Sequence, residues 1–278
     1  MRALIIYLVI SAVFIGCTPI LSIDASTQSV YHFSDTDKNI SLLDISETFG
    51  TYDGSFVLYD NNLDSWKIYD LEEATKRIPP ESTYKIYDAL LGLESGIITP
   101  EHSSMTWNGD AFPFPSWEAD QDLNSAMQNS VNWYFQAIDS QLGINRVQEF
   151  LNKIEYGNQT TSSNLDLYWS DFSLKISPLE QVTLLKKFNT NEFHLNSQNV
   201  FSVKNAIKIA STPNGNFYGK TGTGRVNGQD INGWFIGYVE TSDNSYYFAT
   251  NIQSDSNATG KKAFEITSNI LKKLHIWN

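Results

Sequence analysis

Short apolar runs bounded by turn residues occur near both ends of the chain, and longer segments with helical periodicity lie between them. Residues 55–59 and 65–69 have the strand-like pattern, and Asn61 and Asn62 favour a turn between them, which predicts a hairpin. Later strand-like runs, joined by turns at 227–228 and 242–244, cover residues 216–223, 231–240 and 246–253. The pattern therefore predicts an early hairpin and a late three-stranded meander.

Helical periodicity characterises the middle of the chain and its last segment. The predicted helices cover residues 123–141, 145–153, 179–188, 200–209 and 259–274. Pro178 suits the first position of the third of these helices, and Ser197 or a neighbour suits the cap of the fourth. The segments 94–119 and 156–175 lack a regular pattern, which predicts loops.

One further helix is apolar on almost every side, which is typical of a buried helix. It begins just after Pro79 and Pro80, because proline cannot lie inside a helix. Ser82 and Lys85 stand three residues apart and therefore share one helix face. Burial favours the neutral form of a lysine amine, and a neutral amine or its carbamate can accept the proton of a nearby hydroxyl. The pair predicts an activated nucleophile, although Ser-x-x-Lys alone occurs by chance about once in a chain of this length.

The order of the elements, which is strands, helices, strands and a final helix, predicts the fold class. The natural packing joins the early hairpin to the late meander as one antiparallel sheet covered by the final helix. The helices of about residues 95–205 then form a mainly helical insert. We therefore predict an α/β fold of the α+β type, with a central antiparallel sheet flanked by helices. A cleft between sheet and insert would have Ser82 at its seam.

Composition and charge narrow the function classes. The chain has 278 residues, of which 41% are hydrophobic, so it can bury a large core in one domain or two closely packed ones. Its formal net charge is -12 and its Lys and Arg residues are scattered, which argues against nucleic acid as a partner. The histidines stand far apart, at positions 32, 102, 194 and 275, so no metal site is expected.

The apolar run of residues 3–16 is too short to span a bilayer comfortably and suits the core of a secretory signal. The residues that end at Cys17 are similar to the cleavage box of bacterial lipoproteins, in which this cysteine would carry lipid after removal of residues 1–16. The alternative is an ordinary signal peptide of residues 1–25. Both predict export of the mature domain, residues 26–278, with membrane contact only through a lipid anchor. Cys17 has no second cysteine to pair with.

Two further motifs follow the Ser-x-x-Lys along the chain. Ser-Val-Asn at 130–132 lies in the helical insert, and Lys-Thr-Gly at 220–222 lies on the first strand of the late meander. Lys-Thr-Gly occurs by chance in roughly one chain of this length in twenty. The motifs in this order are a signature of penicillin-binding proteins and serine β-lactamases. Ser-Asp-Asn at 242–244 follows Lys-Thr-Gly instead of preceding it, so we interpret it as a hairpin turn.

The complete set of motifs resembles the class D serine β-lactamases and the closely related β-lactam sensor domains of Gram-positive bacteria. The resemblance covers nearly all of the chain after residue 50. Further segments that carry it are 117–120, 135–136, 156–158, 175–177 and 233–238, together with Trp169. It implies a serine β-lactamase/transpeptidase-like fold and β-lactam antibiotics as ligands. It also implies a bacterial protein, monomeric or dimeric, that is secreted or attached to the outer face of the cell membrane.

The resemblance implies roles for the matching residues in the chemical steps. Ser82 would attack the lactam carbonyl, and Lys85 would accept its proton. In class D enzymes this lysine is carboxylated by carbon dioxide, and Trp169 would hydrogen-bond the resulting carbamate. Ser130, aided by Lys220, would pass a proton to the departing nitrogen. Apart from that carbon dioxide, no cofactor and no metal is implied.

The resemblance also implies a set of substrate contacts. The backbone N–H groups of Ser82 and Thr223 would form the oxyanion hole. Thr221 and a cation on the last helix, Lys261, would hold the substrate carboxylate, although the family usually has Arg there. The implied substrate-binding residues are Tyr156, Asn158, Thr221, Gly222, Thr223 and Lys261. The structural alternatives are a helix-ending turn at 156–158 and a surface lysine at 261.

Asn132 is the main departure from the class D pattern, because those enzymes usually place Val beside the modified lysine. An apolar neighbour favours the neutral amine that reacts with carbon dioxide, so Asn132 puts the deacylation step in question. The short chain, with no spanning segment beyond its N-terminal run, favours a β-lactamase that hydrolyses penicillins and contributes to antibiotic resistance. The alternative is a β-lactam sensor or penicillin-binding protein that is acylated at Ser82 but deacylates slowly.

Overall fold

A seven-stranded sheet organises residues 39–278, which are the residues that the computed structural model describes. The predictions for residues 1–25 and for Cys17 lie outside this range. Across the sheet the strand order is β1-β3-β2-β7-β6-β5-β4. The strands are β1 (Ile40–Leu42), β2 (Asp53–Asp60), β3 (Ser65–Tyr69), β4 (Lys208–Thr212), β5 (Gly215–Val226), β6 (Gln229–Glu240) and β7 (Ser245–Gln253).

The early hairpin and the late meander join through β2 and β7, which pair antiparallel with Val57 opposite Ala249. The pairs β2–β3, β5–β6 and β6–β7 are antiparallel as well. The predicted fold class, a central antiparallel sheet with helices around it, is therefore confirmed. The short strand β1 is an exception, since it pairs parallel to β3.

Nine α-helices occur within the described range. They are α1 (Ser46–Phe49), α2 (Leu71–Thr75), α3 (Lys85–Glu94), α4 (Leu123–Gln128), α5 (Asn132–Leu142), α6 (Ile144–Ile154), α7 (Pro178–Asn189), α8 (Ser197–Ala206) and α9 (Gly260–Lys273). Pro178 is the first residue of α7, as predicted, and Ser177 caps that helix by accepting a hydrogen bond from the Glu180 amide. The cap of α8 is Asn196, the neighbour of the predicted Ser197.

Two hydrophobic clusters hold helices against the two faces of the sheet. One contains Phe235 and Phe248 of the sheet together with Ile266 of α9. The larger cluster contains Ile236 of the sheet, Leu185 of α7 and most of α3. Residues 85–93 of α3 are all buried, so the prediction of a buried helix is confirmed. Within residues 39–278, no helix combines the length and the apolar character needed to cross a bilayer.

Two sequence-based helix predictions were wrong in their extent. The helix predicted for residues 123–141 is divided into α4 and α5, because Ser130 adopts a left-handed backbone conformation with φ of 55°. The helix predicted for residues 200–209 ends at Ala206, and residues 208–212 form the edge strand β4 against β5. Pairing with the open edge of the sheet outweighs local helical preference in that segment.

Candidate active site

The predicted nucleophile lies on a tight turn between two prolines and the buried helix. A 3-10 turn, Glu81–Tyr84, connects Pro80 to α3, and Lys85 is the first residue of that helix. The side chains of Ser82 and Lys85 meet, with Lys85 Nζ 3.1 Å from Ser82 Oγ. Ser82 also lines an open cleft, so its hydroxyl is accessible to a ligand while its partner amine is buried.

Lys85 makes three kinds of polar contact at its amine. Its Nζ donates to the backbone oxygen of Ser130 at 2.7 Å and to Asn132 Oδ1 at 2.5 Å, and it lies near Ser82 Oγ. A neutral amine has two N–H groups and one lone pair. In the neutral amine, the two oxygen acceptors take up both N–H groups, which leaves the lone pair for the Ser82 hydroxyl. This arrangement suits a general base that removes the serine proton.

Burial lowers the pKa of Lys85 well below its ordinary value, and the neighbouring Lys220 cation lowers it further. Asp88 and Glu81 act in the opposite direction, but burial is the largest effect. Burial also lowers the pKa of Lys220, to about 7. Both lysine amines can therefore exist in the neutral form near neutral pH, which is the form that accepts a proton.

Ser130 connects the two lysines. Its hydroxyl accepts a hydrogen bond from Lys220 Nζ at 2.9 Å and lies 3.3 Å from Lys85 Nζ. The left-handed conformation that interrupts the helix at Ser130 directs both its carbonyl and its hydroxyl toward Lys85. The structure thus brings Ser82, Lys85, Ser130 and Lys220 into one hydrogen-bonded chain, although they lie on four different elements or junctions.

The cleft in front of these four hydrogen-bonded side chains has a volume of about 390 Å³, within the usual range for small-molecule sites. One wall is the β5 segment that contains Thr221, Gly222 and Thr223. Other lining residues are Ser82, Phe114, Ser116, Trp117, Asn129, Ser130, Asn132, Arg225, Asp230 and Thr259. The Gly260 amide donates to Thr223 Oγ1 at 2.9 Å, which leaves the Thr223 hydroxyl proton available to a ligand in the cleft.

Tyr156 and Asn158, two of the residues implied to bind substrate, do not belong to the cleft lining. Tyr156 is fully buried and packs edge-on against Tyr84, with ring centroids 5.2 Å apart, so the expected contact with substrate is corrected to a core role. Asn158 accepts from the Lys175 amide at 2.9 Å and donates to the Ser173 carbonyl, which holds a loop together. The structural alternative for residues 156–158 therefore applies.

Trp169 packs against the turn that contains Ser82, residues 81–84. It is 2% exposed and stacks on Tyr84 with centroids 6.3 Å apart, and its carbonyl accepts from the Glu81 amide at 3.0 Å. The hydrogen bonds of Lys85 within the described chain go to Ser82, Ser130 and Asn132. A carbamate contact by Trp169 stays a prediction.

The cation that lines the cleft is Arg225, and Lys261 is an exposed residue outside the lining. Arg225 Nε donates to Asp230 Oδ1 at 2.7 Å, an ion pair across the β5–β6 hairpin. The sequence analysis missed Arg225, although Arg225 lies on β5, the strand of the Lys-Thr-Gly motif, only two residues after Thr223. That proximity to a substrate-facing motif was the available signal.

Comparison with known proteins agrees with this geometry. The family described as penicillin binding protein transpeptidase domain matches residues 50–272. The chain is 45% identical over 277 residues to regulatory protein BlaR1 of Bacillus licheniformis, which covers 99% of this chain and 45% of that protein. The chain thus spans less than half the length of that relative.

Two further relatives match over most of their own length. The probable β-lactamase YbxI of Bacillus subtilis (strain 168) is 36% identical over 235 residues, covering 84% of this chain and 86% of that protein. The solved C-terminal domain of the Bacillus licheniformis BlaR penicillin receptor superposes with a TM-score of 0.84 at 46% identity, covering 86% of this chain and 98% of that domain. This chain belongs to the penicillin-binding protein transpeptidase family.

Proposed function

We propose that this chain is a β-lactam receptor domain, which is acylated by penicillins at Ser82 and then hydrolyses the acyl-enzyme very slowly. The observation that carries the proposal is the contact between Lys85 Nζ and Asn132 Oδ1, at 2.5 Å. Similarity to BlaR1 and to the BlaR penicillin receptor supports it. This was the alternative from the sequence, and the comparisons support it better than the predicted hydrolase.

Acylation requires one proton to move from the serine to the leaving nitrogen. Lys85 accepts the Ser82 proton as Oγ forms a bond with the lactam carbonyl carbon, and the amide N–H groups of Ser82 and Thr223 stabilise the oxyanion. The C–N bond then breaks. Ser130 gives its hydroxyl proton to the nitrogen and recovers a proton from Lys85, so the proton count balances. Lys220 holds the Ser130 hydroxyl in place at 2.9 Å.

Deacylation requires a base that reaches a water molecule beside the ester. Lys85 Nζ lies 3.1 Å from Ser82 Oγ, which suits the serine proton better than a water that attacks the carbonyl carbon. A carbamate would extend acceptor oxygens beyond Nζ. The Ser130 carbonyl and Asn132 Oδ1 already point oxygens at this amine, so they oppose an anionic carbamate by repulsion.

The rate difference that separates a receptor from a hydrolase is large but chemically accessible. Turnover near ten per second and an acyl-enzyme lifetime of hours differ by about five decades, or roughly 7 kcal/mol of barrier. A missing or misplaced general base accounts for about two to four of those decades. Loss of the second base therefore accounts for a large part of this difference while leaving acylation in place.

A β-lactamase is the second candidate function, and similarity to YbxI favours it. A chromogenic cephalosporin distinguishes the two, because each ring opening changes its colour. For a receptor we expect a burst of about one equivalent per protein followed by little turnover, with or without bicarbonate. Continuous hydrolysis that bicarbonate stimulates would contradict the receptor and support an enzyme with a carboxylated Lys85.

Export is part of the same proposal. β-Lactams act outside the cytoplasm, and the apolar run at residues 3–16 suits delivery of the domain to that side. Lipidation at Cys17 is a separate proposal, which the mass of the mature protein purified from membranes would test.

Replacing Asn132 with Val is expected to accelerate deacylation at least tenfold in the presence of bicarbonate. The variant removes the oxygen that Lys85 contacts and offers an apolar neighbour to a carbamate. The measurement is the decay of the acyl-enzyme after excess penicillin is removed. Asn152→Val, an exposed change on α6, is the matched control and should decay like the wild type. An Asn132→Val acyl-enzyme as long-lived as the wild-type one would contradict the proposal that Asn132 slows deacylation.

The two candidate carboxylate-binding cations can be compared by alanine substitutions that remove one positive charge each. Arg225→Ala is expected to weaken the non-covalent penicillin complex about two- to fivefold, because an exposed ion pair contributes up to about 1 kcal/mol. Lys261→Ala should change it less than twofold, since Lys261 lies outside the cleft lining. The concentration dependence of the labelling rate gives both values. The reverse order would restore Lys261 to the predicted role.

A further inference from the structure

Glu81, the residue immediately before the nucleophile, has an unusual backbone and an unusual environment. Its φ is 52°, in the left-handed region that residues other than glycine rarely adopt. Its side chain is 5% exposed, although a glutamate is seldom buried without a specific partner. The mechanism of acylation described above does not use this carboxyl group.

The carboxyl group is anchored to the sheet by Asn232 on β6. Asn232 Nδ2 donates to Glu81 Oε1 at 3.1 Å and to the Pro79 carbonyl at 3.1 Å. Asn232 Oδ1 in turn accepts from Asn251 Nδ2 on β7 at 2.8 Å, which fixes the orientation of the Asn232 amide. The Trp169 carbonyl holds the Glu81 amide from the opposite side. The left-handed turn is therefore tied to the sheet and to the Trp169 loop.

Two glycines of β5 make the room that Glu81 occupies. A Cβ atom at Gly224 would lie 2.3 Å from Glu81 Oε1, and one at Gly222 would lie 3.0 Å from Glu81 Cβ. The same Cβ at Gly222 would lie 3.2 Å from the Ser82 amide nitrogen. Glu81 thus fills a slot between the nucleophile turn and the strand whose Thr223 amide completes the proposed oxyanion hole.

We propose that Glu81 is a positioning residue for acylation: its carboxyl group, held by Asn232 in the slot at Gly224, fixes the turn that directs the Ser82 hydroxyl and amide into the cleft. Glu81 acts through Ser82 and does not touch the ligand. The inference rests on the acylation step of the proposed function and is independent of how fast the acyl-enzyme is hydrolysed.

The protonation state of Glu81 predicts a pH dependence of stability that can be measured. Burial raises its pKa to about 8, partly opposed by the Asn232 hydrogen bond and the Lys85 charge. The titratable and charged groups facing it are the Lys85 amine on α3 and the Arg225 guanidinium, which lines the same small cavity, while the facing residues of β6 and the Trp169 loop are neutral. Glu81 therefore holds a proton at neutral pH and is a neutral hydrogen-bonding group in the turn.

The sign of the effect on stability follows from the raised pKa. Between the pKa of an unfolded glutamate, about 4.3, and the folded value of about 8, the folded state binds more protons than the unfolded state, so stability falls as the pH rises. Glu81→Gln removes this titration while keeping the shape. We expect the Tm of Glu81→Gln to exceed that of the wild type by an amount that grows from pH 5 to pH 8.

The acylation test compares Glu81→Ala and Glu81→Gln with the wild type by the rate of labelling with a fluorescent penicillin. We expect Glu81→Ala to label at least tenfold more slowly at saturating penicillin, with the non-covalent Kd changed less than threefold. Glu81→Gln is expected to label within threefold of the wild type. Glu94→Ala, which removes a glutamate bonded to Asn196 and Asn199 far along α3, is the matched control and should label normally.

Gly224→Ala supplies a second test that does not depend on the stability of Glu81→Ala. Its methyl group would displace the Glu81 carboxyl and would also lie 3.1 Å from Asn232 Cβ, so it should slow labelling in the wild-type background and have a smaller further effect in the Glu81→Ala background. A wild-type labelling rate in Glu81→Ala would overturn the inference about Glu81 and leave the proposed function intact. So would an equal effect of Gly224→Ala in the wild-type and Glu81→Ala backgrounds. A wild-type protein that no penicillin labels would overturn the proposed function, and the inference with it.

Discussion

A Ser82→Ala variant is expected to bind penicillin without ever becoming covalently labelled. The hydroxyl of Ser82 is the group that lies both at the cleft surface and 3.1 Å from the buried Lys85 amine. Removing Oγ removes the atom that forms the new bond to the lactam carbonyl carbon, so no other contact in the cleft can compensate. The measurement is the intact mass of the protein after incubation with excess penicillin.

The control for this result is Ser202→Ala on α8, which removes a hydroxyl that donates to the Gln198 carbonyl of its own helix. It should gain one penicillin mass as the wild type does, whereas Ser82→Ala should keep its own mass at all times. A stoichiometric adduct on folded Ser82→Ala would show that another nucleophile reacts. That outcome would end the assignment of the active site.

Lys85→Met is expected to slow acylation by about two to four decades, the usual contribution of a positioned general base. This corresponds to about 3–5 kcal/mol of barrier. Met keeps most of the side-chain volume in a fully buried position while removing the lone pair that faces Ser82. The measurement is the second-order rate constant for labelling by a fluorescent penicillin at pH 7 to 8.

Lys204→Met is the matched control, because Lys204 forms a partly buried ion pair with Glu240 away from the cleft. It should label at the wild-type rate. Labelling of Lys85→Met within threefold of the wild type would mean that Lys85 does not activate the serine, and Lys220 through Ser130 would become the base.

The sequence identified the parts of the site that depend on local spacing and on motif order. Ser82 and Lys85 share a face because they are one helical turn apart, and that relation survives in the structure. The sheet was equally predictable, since strand-like runs with short turns leave few ways to pair. The prediction that Ser130 and Lys220 would lie beside Ser82 and Lys85 came from the family resemblance, because no local sequence pattern indicates that these four residues meet.

The remaining errors have physical causes outside local sequence. The break at Ser130 depends on tertiary hydrogen bonds to the two lysines, which no helical pattern encodes. Tyr156 looked like a ligand contact by motif, but its ring completes an aromatic cluster with Tyr84 and Tyr87. The β4 segment becomes a strand only because an open sheet edge is available beside it.

The prediction of a hydrolase rested on the ordered motifs and on the chain length, whereas Asn132 favoured slow deacylation. Similarity at 45% identity to a regulatory protein of which this chain covers 45% removes the argument from length. The structure places Asn132 Oδ1 against the Lys85 amine, and the proposed function assigns this contact the role of opposing a carbamate.

The most direct test of the account is the lifetime of the acyl-enzyme, followed by intact mass after removal of unbound penicillin in buffer containing bicarbonate. We predict that the penicillin adduct on wild-type protein persists for hours. An adduct that disappears within seconds, with hydrolysed penicillin released in many equivalents, would contradict the receptor function.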